Sequence, residues 1–285
     1  MIYLSTMVFE RDEYSFAQMI DFCSQMECGL EFGSNSLDAT LALHNITIPL
    51  LIHNYNPIPS DPFVLNLTAT DPMQLSNSIE MVAYNLAVSF RYGLPFYGLH
   101  AGFLAPVESH MLGVGITGRA QPLTKAYNYY CERFAAGLLE AVQKANIPTD
   151  YPILIENNVI GAENYKRGFA AHLMALDSDS TGTLIDICRS CNLNVSLLFD
   201  VGHANVSAHQ LGYDRDSYHN EVQGYISAYH LSENNGLEDT NNPIKSNSWF
   251  LKYLRESSDP IVTIEVAGPV DSLERQIRIL RESGC

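Results

Sequence analysis

Metal-ligating side chains recur along the sequence at intervals of about one structural repeat. Glu156, Asp200, His230 and Glu265 are separated by 44, 30 and 35 residues, and each closes a short apolar run. A charged group at the end of an apolar strand is costly unless it is hydrogen-bonded, paired or bound to a metal. Three carboxylates and one imidazole can surround one divalent cation. This oxygen-rich set favours Mn²⁺ or Mg²⁺, whereas more histidines would favour Zn²⁺.

Three further histidines occupy similar positions. His53 ends the run LLIH, His100 ends YGLH, and His203 closes the motif DVGH. A single histidine such as His53 is more often a satisfied core or loop residue than a ligand. Ligand-type residues at six strand ends together nevertheless predict a metal site.

Other reactive side chains carry weaker signals. Glu233 is equally compatible with an acid in a solvated loop and with a residue that contacts the metal ligands without binding the metal. The pair Glu238-Asp239 is typical of a solvated loop. Cys188 and Cys191 form a C-x-x-C motif without a second cysteine pair or a histidine at zinc spacing, which favours ordinary thiols. Lys166-Arg167, the one adjacent basic pair, could meet a phosphate but is more typical of a solvated loop.

Eight short apolar runs supply the strands that would position these side chains. The predicted strands are Ile2–Ser5, Gly29–Phe32, Pro49–His53, Tyr97–His100, Ile153–Asn157, Val195–Asp200, Ile226–Leu231 and Ile261–Val266. Several are continuously apolar, which is typical of parallel strands buried on both faces.

Longer helical segments are predicted between these strands. They cover about Ser15–Met26, Asp71–Tyr92, Lys125–Ala145, Gly182–Cys191 and Ser248–Arg255, with a last helix near Asp271. Asp71 followed by Pro72 is a start signal, because a capping residue precedes a proline at the first helical position. Asp271 with Glu274 resembles a capping box.

Strands and helices alternate at about 36 residues per unit over the 285 residues. This arithmetic predicts an α/β fold, a (β/α)8 TIM barrel, as one domain spanning residues 1–285. A doubly wound open sheet is the alternative, but no glycine-rich phosphate loop follows the first strand. In a parallel barrel all C-terminal strand ends meet at one mouth, which would bring the ligand-type residues together.

The composition narrows the classes of function. Hydrophobic residues make up 46% of the chain, and no apolar run reaches the roughly 18 residues of a membrane span. The net charge of −16, with 16 Lys and Arg against 32 acids, disfavours nucleic acid as a partner, because DNA-binding proteins gain affinity from basic residues. The first residues lack the features of a signal peptide, so we expect a cytoplasmic protein without a membrane partner.

Two motifs give the sequence a specific resemblance. D-V-G-H at Asp200–His203 and H-L-S-E-N-N-G at His230–Gly236, together with the strand-end residues, resemble the xylose isomerase-like TIM barrel superfamily. That group includes sugar and sugar-phosphate isomerases and epimerases, inosose dehydratases and endonuclease IV, and the match spans about Leu30 to Glu265. I-H-N-Y at Ile52–Tyr55, with P-F-V-L-N-L and H-A-G-F further on, is most similar to the sugar phosphate isomerase/epimerase branch.

This resemblance implies a divalent-metal-dependent isomerase or epimerase that acts on a small sugar or sugar phosphate. In ketose 3-epimerases one metal is bound by Glu, Asp, His and Glu, which match Glu156, Asp200, His230 and Glu265. Their two glutamates also act as acid and base on opposite faces of the substrate carbon, which implies that Glu156 and Glu265 are catalytic. The side chains expected to bind substrate are His53, His100, Asn157 and His203.

The chain departs from those epimerases at two positions. Ala162 stands where they carry an acid, and Gly236 stands where they carry a substrate-binding arginine. These differences disfavour a free ketohexose as the substrate. They leave the metal ligands and the two glutamates intact.

Endonuclease IV and a sugar or inosose-type dehydratase are the alternative activities. The ligands of the three-zinc cluster of endonuclease IV align with His53, His100, Glu156, Asp200, His203, His230, Asp239 and Glu265. Its D-x-H element reads Asp239-Thr240-Asn241 here, so one imidazole is missing, and asparagine is a poor zinc ligand. A binding protein without turnover is disfavoured by the intact glutamate pair. A small carbohydrate is the expected partner. The sequence is also compatible with a homo-oligomer.

Overall fold

Eight parallel strands close into a barrel in the order in which they occur along the chain. The computed structural model describes residues 1–12, 14–33, 46–104, 107, 125–166 and 172–285. The strands are β1 (Ile2–Ser5), β2 (Gly29–Phe32), β3 (Leu50–His53), β4 (Tyr97–His100), β5 (Ile153–Glu156), β6 (Val195–Asp200), β7 (Ile226–Leu231) and β8 (Ile261–Ile264). Since β1 pairs with both β2 and β8, the predicted TIM barrel is confirmed and the open-sheet alternative is wrong.

Within the described ranges, nine α-helices surround this barrel. They are α1 (Phe16–Gln25), α2 (Pro72–Arg91), α3 (Tyr127–Ala145), α4 (Ala162–Lys166), α5 (Ser178–Ser190), α6 (Val201–Leu211), α7 (Arg215–Val222), α8 (Leu251–Glu256) and α9 (Leu273–Arg281). Over the same part of the chain, no helix has the length and apolar character needed to cross a bilayer.

Helix α2 begins as its sequence predicts, whereas α9 does not. The Asp71 side chain accepts hydrogen bonds from the backbone N–H groups of Met73 and Gln74, and Pro72 occupies the first turn. The capping box predicted at Asp271 is wrong, because that residue lies inside a 3₁₀ turn and α9 starts only after Ser272, without a side-chain cap. The tight turn moves Asp271 away from the helix entrance.

Helices α4, α6 and α7 were not predicted. Helix α6 follows β6 directly, and Asp200 is both the last residue of the strand and the N-cap of the helix. A boundary without an intervening loop gives no turn signal in the sequence. Helix α4 has only five residues, too few for a periodic pattern.

The barrel interior has two levels of side chains, because every second residue of a strand points inward. The lower layer is an apolar cluster of Tyr3, Leu51, Phe96, Leu154, Leu198 and Ala228. The upper layer, nearer the C-terminal strand ends, consists of the buried residues Glu31, His53, Glu156, Asp200, His230 and Thr263. The polar level therefore lies on an apolar floor that closes the barrel below it.

Candidate metal centre

The four predicted metal ligands lie together at the barrel mouth. Glu156, Asp200, His230 and Glu265 each offer a ligand atom, and these atoms lie within 4.8 Å of one another. Asp200 and His230 are register partners on β6 and β7, and the Glu265 N–H donates to the Leu231 carbonyl beside them. The barrel thus brings together residues that are far apart in sequence.

His230 lies between the two predicted catalytic glutamates. Its Nδ1 atom is 3.0 Å from Oε1 of Glu156 and 3.2 Å from Oε2 of Glu265. Burial opposes the charged form of Glu265, but the adjacent imidazole of His230 lowers the pKa of that carboxyl to about 2. Burial likewise opposes a charged His230, yet the carboxylates of Glu265, Glu31 and Glu156 hold the pKa of its imidazole well above the usual value.

The second oxygen of Glu156 faces a second set of imidazoles. Oε2 lies 2.8 Å from Nε2 of His53 and 3.0 Å from Nδ1 of His100. None of these three buried atoms has an aligned hydrogen bond to any described residue. Burial would raise the pKa of Glu156, but the imidazoles of His100, His230 and His53 hold it well below its usual range.

These residues fit a divalent cation. Buried polar atoms are normally hydrogen-bonded, and ligand-type atoms that converge without hydrogen bonds are suited to coordinating an ion. His53, His100 and Glu156 form one such group. The predicted quartet is a second group of converging ligand atoms; it shares Glu156, whose Oε1 atom is hydrogen-bonded to Nδ1 of His230. Each group combines carboxylate and imidazole donors, which suit first-row divalent metals.

Asp200 is held in place by backbone contacts on both sides of the β6–α6 junction. Its Oδ1 atom accepts a hydrogen bond from the His203 N–H at 2.7 Å. The Asn157 amide accepts from the Asp200 N–H at 2.8 Å and donates to the Asp200 carbonyl at 3.1 Å. These bonds favour a role for Asn157 in placing Asp200, and the predicted substrate contact of Asn157 stays a prediction.

The glycine of the D-V-G-H motif makes a close approach possible. A Cβ atom on Gly202 would lie 2.5 Å from Oγ of Ser232, and the Gly202 carbonyl accepts a hydrogen bond from Asn234 at 2.9 Å. Any larger residue would push the loop after β7 away from α6. The motif therefore joins two elements of the mouth.

His203 contacts an acid that the sequence analysis placed in a solvated loop. Its Nδ1–H donates to the Asn157 carbonyl at 2.8 Å, and its Nε2 lies 3.3 Å from Oδ2 of Asp239. The interpretation as solvated loop holds for the exposed Glu238 but is wrong for Asp239, whose side chain is about one-fifth exposed, at 21%. A partner on another element could not be found from the local sequence.

The four histidines of the mouth form a continuous cluster. The His53 ring packs edgewise against His100 and His230, with centroids 5.1 and 4.9 Å apart. The rings of His100 and His203 stack at 5.8 Å. His100 has the most exposed side chain of the four, at 35%, so it is the imidazole most open to a ligand entering the mouth.

The structure explains why the third residue of the I-H-N-Y motif is an asparagine, Asn54. It adopts a left-handed backbone conformation with φ of 52°. Its side-chain oxygen accepts from the His100 N–H at 3.0 Å, and its carbonyl accepts from Tyr97 and Asn85. Asn54 thereby fixes the ends of β3 and β4, which carry His53 and His100.

Glu31 is a further residue of the centre that the sequence analysis did not identify. This β2 side chain is 1% exposed, and its Oε1 atom lies 2.8 Å from Nε2 of His230. The sequence feature that could have identified Glu31 is its position as a lone acid inside the apolar run GLEF. By contrast, Lys166 is exposed on α4 and pairs with Glu163, and Arg167 lies outside the described residues.

Comparison with solved structures finds the same barrel fold in several other proteins. The chain is 15% identical to a D-tagatose 3-epimerase-like protein, with a TM-score of 0.69 over 99% of this chain and 96% of the other. A putative xylose isomerase from Rhodospirillum rubrum matches at 12% identity and a TM-score of 0.67, over 99% and 98% of the two chains. Endonuclease IV from Thermus thermophilus matches at 14% identity and a TM-score of 0.60, also over 99% and 98%.

The sequence itself has no such match. No protein-family model and no curated protein sequence matches the chain. The structural similarities confirm the predicted resemblance at the level of the fold. At sequence identities of 12–15% they do not define the reaction, which must be inferred from the residues at the barrel mouth.

Proposed function

We propose that the protein is a divalent-metal-dependent isomerase or epimerase of a small sugar or sugar phosphate. The observation that carries this proposal is that the carboxylates of Glu156 and Glu265 converge on one atom, His230 Nδ1, at 3.0 and 3.2 Å. Two carboxylates at one buried centre can remove a proton from a carbon and return it from another direction.

Glu156, Asp200, His230 and Glu265 would hold the cation, with Mn²⁺ or Mg²⁺ favoured by the three carboxylates. A bound cation would polarise the substrate carbonyl and make the neighbouring C–H more acidic. The carbonyl and an adjacent hydroxyl are the oxygens that a small carbohydrate offers to such a centre. A role for Zn²⁺ stays open because histidines surround the quartet.

The two glutamates differ in their access to solvent. The Glu265 side chain is 18% exposed, whereas that of Glu156 is 1% exposed. Because the pKa of each carboxyl lies below its ordinary value, both are ionised near neutral pH. Either one can remove the substrate proton. Glu265 is better placed to exchange that proton with water.

His100 and His203 would orient substrate hydroxyls above the centre. His100 is the more exposed of the two, and His203 is backed by Asp239. Their stacked rings offer N–H and lone-pair groups at adjacent positions on one wall of the mouth. His53 lies deeper, against Glu156, so a direct contact between His53 and substrate requires a substrate atom close to that carboxylate.

The proposal is tested by proton exchange with solvent. The protein is loaded with Mn²⁺ and incubated in D₂O with a panel of ketoses, aldoses and their phosphates, and products are read by NMR and mass spectrometry. An isomerase or epimerase gives deuterium at a single carbon, and Glu265→Gln gives none. A product lighter by one water identifies a dehydratase, and turnover without deuterium contradicts proton transfer through solvent-exchanging glutamates.

Hydrolysis of a phosphodiester is a second candidate that specific contacts favour. His53 and His100 around Glu156, together with the His203–Asp239 pair, offer ligands beyond the quartet. Such histidine-rich sets suit Zn²⁺. Asn241 replaces the imidazole of the D-x-H element, and the net charge of −16 gives DNA little attraction. Cleavage of an abasic-site duplex by Zn²⁺-loaded protein, abolished by EDTA, would favour this candidate.

A further inference from the structure

Glu31 is a buried acid that the proposed reaction does not use. It lies on β2, on the opposite side of His230 from Glu156. Its Oε2 atom accepts a hydrogen bond from the Thr263 hydroxyl at 2.8 Å. Its Oε1 atom is 2.8 Å from His230 Nε2, and neither of these two atoms has an aligned hydrogen bond in the described part of the chain.

Burying a carboxylate at this depth is costly unless it is compensated. Thr263 compensates one oxygen, and the edge of the His230 ring compensates the other. Thr263 is also the register partner of His230 on β8. The carboxylate is therefore fixed by the same pair of strands that carries the imidazole.

The two nitrogens of His230 face different groups. Nδ1 points to Glu156 and Glu265, which belong to the proposed cation site, whereas Nε2 faces Glu31. A histidine that binds a metal through one nitrogen commonly places the N–H of its other nitrogen against a carboxylate, which fixes the tautomer and the ring orientation. The contacts of His230 have this arrangement.

We propose that Glu31 is a positioning residue that keeps the proton of His230 on Nε2, so that Nδ1 presents its lone pair to the cation. This inference rests on the metal site of the proposed function. Glu31 acts through the imidazole and does not touch the cation.

Direct ligation by Glu31 is the competing explanation. Ligand atoms of Glu31, His53, His230 and Glu265 also lie within 4.8 Å of one another. The other oxygen of Glu31 is already bonded to Thr263, and Oε1 of Glu31 lies against the ring nitrogen of His230 that does not face Glu156 and Glu265. This arrangement favours a contact with the imidazole itself.

The test is a titration of the metal-free protein with Co²⁺, followed by calorimetry and by visible absorption of the bound ion. Glu31→Gln keeps the shape of the side chain and a donor or acceptor for Thr263, but it removes the charge. We expect Co²⁺ affinity to fall by about 10- to 100-fold, with unchanged stoichiometry and an unchanged ligand-field band. Thr263→Val should lower affinity in the same direction by a smaller factor.

The matched control is Glu163→Gln, which neutralises an exposed acid on α4 that pairs with Lys166. It should leave Co²⁺ binding unchanged. Thermal unfolding in EDTA shows whether each variant folds. Loss of one equivalent of Co²⁺, or a changed band, in Glu31→Gln would make Glu31 a ligand and overturn the inference. Unchanged affinity would overturn it too, and a wild-type protein that binds no Co²⁺ would overturn the metal site as well.

Discussion

The lower and upper layers of the barrel interior are built by the same strands, two residues apart. On β5, Leu154 belongs to the lower layer and Glu156 to the upper one, and on β6 the corresponding residues are Leu198 and Asp200. All four are almost fully buried. The lower layer gains free energy from apolar burial, whereas the upper layer places charges where they are costly. On each of these strands the lower position therefore contributes to stability, and the upper position carries the residue proposed to act in the reaction.

The largest expected effect is the loss of metal from the upper layer. Asp200→Ala removes a predicted ligand and the cap of α6, so we expect it to abolish stoichiometric binding of a divalent cation and to lower stability by about 1 kcal/mol. Asp200→Asn keeps a capping oxygen and should lose metal affinity without the loss of stability. Elemental analysis and urea unfolding measure the two effects. Full metal content in Asp200→Ala would remove Asp200 from the site.

A loss of turnover with metal retained should follow from Glu265→Gln. The amide keeps one oxygen for the cation but loses the basicity needed to move a proton, which contributes typically about 10²–10⁴-fold in rate. Steady-state kinetics and metal analysis of the same sample measure both properties. Glu233→Gln, in the loop after β7, is the control and should have a mild effect. The reverse pattern would place the chemistry in that loop.

A matched pair of substitutions on β5 tests the separation between the layers. Leu154→Ala should lower the free energy of unfolding by about 2–5 kcal/mol, because it leaves a cavity in the apolar floor. Glu156→Gln, measured in EDTA, should lower it less, since the amide has the same shape and leaves no cavity, and the lost attraction to the imidazoles is offset by the lower cost of burying an uncharged group. Chemical denaturation gives both values. Equal losses would mean that the upper layer stabilises the barrel as strongly as the lower one.

A buried histidine outside the barrel sharpens the comparison with His230. The His219 ring stacks on Tyr253 at 3.6 Å, and its Nε2 lies 3.1 Å from the Tyr229 hydroxyl. Burial lowers the pKa of His219 to about 4, although nearby Asp216 opposes this shift. His230 is more deeply buried, but its carboxylate neighbours raise its pKa. The carboxylate neighbours of His230, and not the depth of its burial, distinguish its pKa from that of His219.

The smallest expected effect is a pH dependence that arises from His219. In the unfolded chain its pKa returns to about 6.5, so the unfolded state binds a proton that the folded state rejects. This contribution to stability is present above pH 6.5 and is lost as the pH falls towards 4. His219→Phe keeps the stacking and should show a smaller fall in the urea midpoint between pH 7 and pH 5. An identical fall in both proteins would contradict the prediction.

The barrel and the metal quartet could be predicted because both depend on local patterns. Each strand is a short apolar run, and each ligand lies at or next to its C-terminal end. The predicted bounds of β1, β2, β4, β6 and β7 match those of the structure. Closure of the barrel then brings the quartet together without any pairing information from the sequence.

The remaining features depend on contacts between distant elements. The role of Glu31 depends on contacts with His230 and with Thr263, and Thr263 lies 232 residues further along the chain. Asp239 lies in an irregular loop, where no periodicity indicates that it turns back onto His203. A lone acid in an apolar strand is a usable signal for the first case. For Asp239 the one signal was the resemblance of Asp239-Thr240-Asn241 to a D-x-H element.

The double task of Asp200 limits how the centre can be redesigned. One oxygen of this carboxylate holds the first turn of α6 through the His203 N–H, so a longer glutamate at this position would shift both the helix start and His203. His100 makes its contact within the site through its side chain, and it can be exchanged without rebuilding a helix. An engineer who wishes to change the metal preference therefore has more freedom at His100 on β4 than at Asp200 on β6, where the side chain must also cap α6.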